Sequence, residues 1–151
     1  MCCLNLSAQT IISDGQKVSG KWTKNNSPYI VEGEAIIPIG STLTIEPGVK
    51  IKFKTGTNNI FTLPGFDLGM LRVRGSLIAK GNANYPISFT RDGNSGSWGI
   101  ILFHTTTTNS VLSFCNIEYA GSVVNVVDMK NFFGAVSYYQ TNATITNSTI
   151  S

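Results

Sequence analysis

Charged side chains are scarce in this 151-residue chain. They make up 13% of the residues, which is about half of the usual share in soluble domains. Helices carry Glu, Lys and Arg on their solvent faces, so this scarcity argues against a helical protein. The formal net charge is only +3, and a nucleic-acid-binding surface needs clustered lysines and arginines. We therefore expect no nucleic-acid partner.

Cysteine and histidine are also few. Cys2 and Cys3 lie at the N-terminus and Cys115 lies in an apolar strand pattern, so the chain lacks the spaced pairs of a disulfide framework. His104 is the only histidine, and no metal-ligand spacing surrounds Cys115. No apolar run approaches the length of a transmembrane helix. These absences predict no metal site, no cofactor and no membrane span.

The N-terminal residues have features of an export signal. An apolar run ends in small residues, with Ala8 at the position of a cleavage site, although the basic region that normally precedes such a run is missing. We interpret residues 1–9 as a signal-peptide remnant and residues 10–28 as an entry segment that caps the fold. This interpretation predicts a secreted or cell-surface protein.

The rest of the chain consists of short alternating strand patterns separated by glycine or asparagine turns. Four segments share this rhythm, namely 29–54, 71–91, 98–122 and 134–151. Like residue classes recur at like positions in each segment, which is typical of a parallel solenoid whose coils lie on one another. The sequence therefore predicts an all-β solenoid of about four coils over residues 29–151, with insertions at 55–70 and 123–133.

Alignment of the four segments predicts which residues stack in the core. Ile36 is expected opposite Leu71, and Leu112 and Ile117 opposite Ile145 and Ile150. Residues two apart in a strand share a face, so one apolar column should run through the interior. The predicted column comprises Ile51, Phe53, Ile87, Phe89, Ile117 and Tyr119.

Several phrases in the chain resemble a widespread bacterial group of repeat proteins. These phrases are GSTLTIEPGVKIKFK (40–54), LRVRGSLIAKGN (71–82), YPISFTR (85–91), SWGIILFH (97–104), LSFCNIEYAGS (112–122) and ATITNSTIS (143–151). Their order resembles the right-handed parallel β-helix proteins of the pectate-lyase-like superfamily, and the likeness covers about nine-tenths of the chain. The resemblance implies a right-handed β-helix. It leaves the activity open, because such domains occur in adhesins, in multidomain secreted proteins and in polysaccharide-degrading enzymes.

Acidic residues do not form the pattern that an enzyme of this type needs. A lyase requires a cluster of Asp or Glu to hold Ca²⁺ together with an Arg or Lys base. Asp67 in the first insertion, near Arg72 and Arg74, is the nearest approach to such a group, and a surface ion pair explains it equally well. Lys52, Ser88 and Glu118 are predicted at equivalent outward positions of three successive coils. Only one of the three is a carboxylate, so these positions do not form an acidic cluster. We therefore predict no catalytic residue.

Other side chains are candidates for ligand contact. Lys50, Lys52 and Lys54 alternate with apolar residues and should line one outward edge, where they would meet an anionic glycan. Tyr138 and Tyr139 are consecutive in a strand pattern, so one of the two rings must point outward. We assign the outward position to Tyr139. The run 105–108 consists of four threonines and is a feature of ice-binding solenoids, which need threonine at the same place in successive coils.

Three functions follow from these patterns. The first is a non-catalytic extracellular scaffold, either an adhesin-like surface module or a glycan-binding module, with a polysaccharide or cell-surface glycan as partner. The second is part of a polysaccharide lyase or glycoside hydrolase whose catalytic residues lie outside this chain. The third is an ice-binding solenoid. The strand-and-turn pattern of 144–151 also predicts further coils beyond residue 151 or end-to-end self-association.

Overall fold

The computed structural model describes residues 8–56, 68–105, 107–121, 123–127, 130–132 and 134–151. The described residues do not include positions 1–7 of the predicted signal-peptide remnant. They also do not include positions 57–67, which are most of the first predicted insertion. The described strands are β1 (Thr10–Ile12), β2 (Gly20–Trp22), β3 (Tyr29–Val31), β4 (Glu34–Ile37), β5 (Thr42–Ile45), β6 (Lys50–Lys54), β7 (Met70–Val73), β8 (Ser76–Lys80), β9 (Ile87–Asp92), β10 (Ile101–Phe103), β11 (Val111–Ser113), β12 (Cys115–Ile117), β13 (Val123–Val127), β14 (Lys130–Phe132), β15 (Val136–Tyr138), β16 (Thr144–Thr146) and β17 (Thr149–Ile150).

These strands form three parallel sheets and one antiparallel hairpin. Sheet A has the order β1-β3-β6-β9-β12-β17, sheet B the order β15-β10-β7-β4, and sheet C the order β16-β11-β8-β5-β2. The hairpin consists of β13 and β14. In the described residues the only helical turn is a 3₁₀ segment, Lys24–Asn26, and no helix there is long and apolar enough to cross a membrane.

From β3 onward the chain visits the three sheets in a fixed cycle. After a strand in sheet A it enters sheet B and then sheet C, and the next strand in sheet A lies beside the previous one. Each circuit therefore stacks on the circuit before it, as the repeated segments predict. The protein is an all-β structure built from parallel sheets, an arrangement consistent with a solenoid.

Apolar and polar residues alternate within the strands, and the apolar ones form the core. In β6 the apolar Ile51 and Phe53 are fully buried, while Lys50 and Lys54 are exposed, since successive side chains of a strand point to opposite faces. The interior then fills with stacked rings. Phe53 lies 4.1 Å from Trp98 and 6.5 Å from Phe89, measured between ring centroids. The Trp98 indole N–H donates to the carbonyl of Glu118 at 2.8 Å, which satisfies its one polar group.

The predicted pairing is correct in one part of the chain and shifted in others. Leu112 lies opposite Ile145 and Ile117 opposite Ile150, as expected. Phe89, however, pairs with Ile51 and Ile117, whereas the alignment of the segments predicts Phe53 and Tyr119, each two residues further along. A shift of two residues keeps every side chain on its own face, so alternation alone does not distinguish the two registers.

Two other predictions of position are wrong. Ile36 lies opposite Arg72, and Ala35 takes the predicted place opposite Leu71; the run 35–37 is apolar throughout, so its sequence does not mark the inward face. Tyr119 is not part of the core, because 48% of it is exposed. Strand β12 ends at Ile117, and Tyr119 then adopts a left-handed backbone conformation with a φ of 61°.

The outer side of sheet B carries a second, smaller apolar cluster. Met70, Ile100 and Leu102 are fully buried there together with Phe132, which is 8% exposed and belongs to the hairpin. The ring of Tyr139 packs against Phe132 edge-on at 6.1 Å between centroids. The hairpin, which falls in the second predicted insertion, therefore folds back over sheet B.

Candidate functional site

The three lysines of β6 lie on the outward face of sheet A. Lys50 is exposed, and its backbone N–H donates to the Ser27 hydroxyl at 2.9 Å. Lys52 approaches Asp92 at 3.7 Å. The positions opposite the lysines on β9 are Ser88, Thr90 and Asp92, so Ser88 lies opposite Lys50 and not opposite Lys52 as predicted. The basic row therefore meets hydroxyls and one carboxylate on the neighbouring strand.

Two of these lysines line a depression that we call the basic groove. Its walls are Lys24, Ser27, Pro28, Gly48, Lys50 and Lys52, and its volume is about 410 Å³. The Lys24 ammonium lies over the ring of Tyr85, 4.3 Å from the ring centroid. Tyr85 is 53% exposed, so an aromatic surface adjoins the Lys24 ammonium at the edge of the groove. Aromatic rings and cations of this kind suit a ligand with flat apolar faces and anionic substituents.

The third lysine lies in a different setting. Lys54 lines a depression of about 370 Å³ together with Asp14, Ile30, Glu32 and Asp92. One carboxylate of this group has a structural role, because the Asp14 Oδ1 accepts the backbone N–H of Glu34 at 2.7 Å. In the described part of the chain no group of three or more His, Cys, Asp or Glu side chains is arranged to hold a metal ion.

A second exposed aromatic ring lies at the far end of sheet A. The guanidinium carbon of Arg91 is 4.0 Å from the ring centroid of Tyr119. An Arg91 Nη1–H also donates to the carbonyl of Gly96 at 3.1 Å, which fixes the guanidinium beside the ring. Tyr119 is therefore an exposed ring in contact with a cation, at the end of the sheet where β12 stops.

Arg72 lies on the outer face of sheet B, away from the lysines. Its guanidinium forms an ion pair with the Glu34 carboxylate on the adjacent strand, and both side chains are mostly buried. Burial raises the pKa of the Glu34 carboxyl, and the neighbouring Arg72 opposes this shift only in part. The pair therefore joins β4 to β7.

Arg74 and Tyr139 lie at the same end of sheet B, on strands that β10 separates. Each follows a strand of this sheet directly, as His104 does on the strand between them. The rings of His104 and Tyr139 lie 5.4 Å apart, and Tyr139 is half-buried beneath the hairpin. Asp67, the predicted acidic neighbour of Arg72 and Arg74, lies outside the described residues.

Two threonines of the run, Thr107 and Thr108, contact the strands beside them. Thr107 is buried, and its hydroxyl donates to the carbonyl of Val73 at 2.6 Å. The carbonyl of Thr108 accepts a hydrogen bond from the Ser76 hydroxyl at 2.5 Å. These threonines hold a turn between sheets B and C.

Sequence reasoning missed Lys24, Tyr85 and Arg91 as site residues. Lys24 and Tyr85 are 61 positions apart, and only the stacking of the first circuits brings them together. The sequence predicts an internal Tyr119, and this hides its contact with Arg91. The sequence held one sign that Tyr85 is exposed. Tyr85 follows an Asn-rich turn, where a large ring has no inward position to fill.

Comparison with protein-family models, with curated protein sequences and with solved structures finds no match to this chain.

Proposed function

We propose that this protein is a right-handed parallel β-helix of the pectate-lyase-like type that acts outside the cell as a non-catalytic scaffold and binds an acidic glycan. The cyclic order of the three parallel sheets supports the β-helix. Parallel strands joined by crossover connections are right-handed in nearly all proteins, which supports the hand. The sequence phrases quoted above support the superfamily.

The basic groove is the observation that carries the glycan proposal. Lys24, Lys50 and Lys52 line one depression of sheet A, and Tyr85 stands exposed next to it. Ammonium groups attract carboxylates or sulfates, and a tyrosine ring stacks on the apolar face of a sugar. A uronic-acid or sulfated polysaccharide offers both features. Such polymers are abundant at cell surfaces, which agrees with an extracellular location.

The positions of the carboxylates favour binding over catalysis. Glu34 is engaged with Arg72, and Asp14 accepts a backbone N–H. A lyase or hydrolase would instead need acids directed at one bond of the substrate. The enzyme alternative therefore places the catalytic residues outside this chain.

Incubation with a panel of acidic polysaccharides, with and without Ca²⁺, tests the proposal. We expect at least one polymer to retard the protein in affinity electrophoresis, with no unsaturated or reducing ends released. Neutral polymers of equal length are the control. Release of new ends would establish the enzyme alternative, and absence of binding to every acidic polymer would contradict the glycan proposal.

A further inference from the structure

Two aspartates in the chain are each followed by glycine, Asp14 by Gly15 and Asp92 by Gly93. In such a pair the backbone nitrogen of the glycine can attack the side-chain carboxyl carbon of the aspartate, because glycine has no Cβ to obstruct the approach. The product is a cyclic imide, the succinimide. The sequence makes both pairs equal candidates, so the surroundings of each pair decide which one reacts.

Both reacting groups of the first pair are engaged in hydrogen bonds. The Asp14 Oδ1 accepts the backbone N–H of Glu34 at 2.7 Å, and the Gly15 N–H donates to the carbonyl of Glu34 at 2.8 Å. The Asp14 carboxylate also lies against the backbone of Gly33, where an added Cβ would overlap it. Attack of the Gly15 nitrogen on Asp14 would therefore break both hydrogen bonds.

The second pair is held less tightly. Asp92 is the last residue of β9, and its side chain is 43% exposed. Its carboxylate approaches the Lys52 ammonium at 3.7 Å, and an exposed ion pair of this kind restrains a side chain weakly. Among the described residues, the Gly93 N–H has no hydrogen-bond acceptor. The nitrogen and the carboxyl group that must meet are therefore both accessible.

The residues after Asp92 form an exposed turn. Positions 93–96 are all exposed, and Gly93 has a φ of 100°. A Cβ added to Gly93 would meet no described atom within 4 Å, so no neighbouring strand blocks a rotation of the backbone there. Glycine also accepts a wide range of φ and ψ. The turn therefore permits the rotation that brings the Gly93 nitrogen onto the Asp92 carboxyl carbon.

We propose that Asp92 is a site of spontaneous isomerisation to isoaspartate and that Asp14 is protected by its hydrogen bonds. The Gly93 nitrogen forms a bond to Cγ of the protonated Asp92 carboxyl group, whose hydroxyl leaves as water with the amide proton. Water then opens the ring. Opening at the former backbone carbonyl gives isoaspartate, and opening at Cγ restores aspartate.

Isomerisation alters the edge of the basic groove. In isoaspartate the main chain runs through Cβ and Cγ, so the backbone gains one carbon atom at position 92 and the free carboxylate is attached to Cα. Asp92 pairs with Lys54 in the sheet, and its carboxylate faces Lys52, a wall of the groove. The product therefore moves a negative charge relative to Lys52. This inference is independent of what the groove binds.

Incubation of the folded protein in heavy-oxygen water at neutral pH tests the proposal, because each opening of the ring adds one heavy oxygen atom. Peptide mapping with electron-transfer fragmentation measures the label and distinguishes isoaspartate from aspartate. We expect position 92 to take up label at least about tenfold faster than position 14, since both hydrogen bonds at Asp14 must break before attack. In guanidinium chloride, where these bonds are absent, the two positions should react at similar rates.

Asp92→Glu is the matched control. It keeps the negative charge near Lys52, but its longer side chain would have to close a larger ring, so label at position 92 should fall to background. Label that persists in this variant would come from Asn94 in the same peptide and would contradict the assignment to Asp92. Equal rates at positions 14 and 92 in the folded protein would overturn the proposal, as would the absence of isoaspartate at position 92.

Discussion

Phe89 illustrates how a single residue holds the core. It is fully buried, pairs with Ile51 and Ile117, and contacts the ring of Phe53. Phe89→Ala should lower the free energy of unfolding by about 3–5 kcal/mol, because a cavity replaces a packed ring. Urea denaturation measures this change. Tyr85→Ala is the control, since loss of a half-exposed ring should cost less than about 1 kcal/mol, and an equal effect in both variants would contradict this packing.

Cys115 gives a pH-dependent prediction. Burial raises the pKa of its thiol from 9.0 to about 12. The folded state therefore keeps a proton that the unfolded chain releases above pH 9, so stability falls as the pH rises from 9 towards 12. The Cys115 contribution to this loss has a slope of about 1.4 kcal/mol per pH unit. In urea unfolding, the stability difference between the parent protein and Cys115→Ala should be constant below pH 9 and should change with this slope from pH 9 towards 12. A difference that stays constant throughout would show that the thiol titrates normally.

The hairpin shows how an insertion is attached to the strands beneath it. Phe132 is its buried contact with Tyr139 and with the outer apolar cluster of sheet B. Phe132→Ala should loosen the hairpin without unfolding the sheets, because each circuit of a solenoid is held by its neighbours. Hydrogen exchange should then speed up in β13 and β14 and stay unchanged in β7 and β10. Faster exchange throughout sheet B would mean that the hairpin stabilises the sheet itself.

At the scale of elements, the alternating sequence predicted the strands and their inward faces well. The pattern of β6 and the burial of Phe89 are two examples. Register was harder to predict, because it depends on the lengths of the turns, and a shift of two residues leaves the faces unchanged. The basic groove was predictable in part for the same reason. Alternation predicts that Lys50 and Lys52 point outward, whereas Lys24 joins them only through the stacking of circuits.

At the scale of the whole molecule, end-to-end self-association stays a prediction. Among the described residues, β15, β16 and β17 each pair on one side only, and Ile150 is 50% exposed beside them. Unpaired strand edges promote association with another chain. Light scattering of the 151-residue chain should show a mass that rises with concentration. A monomer of constant mass would contradict the prediction.

The central claim is that the basic groove, and not the overall charge, binds an acidic glycan. Calorimetric titration of a polyuronate into two charge-matched double variants tests it most directly. Lys24→Glu/Lys50→Glu alters the groove, whereas Lys17→Glu/Arg74→Glu alters residues at sheet B. Each Lys or Arg to Glu replacement lowers the formal charge by two, so both double variants go from +3 to −1. We expect the groove variant to lose at least about tenfold in affinity relative to the sheet B variant. Equal affinities in the two variants would contradict the claim.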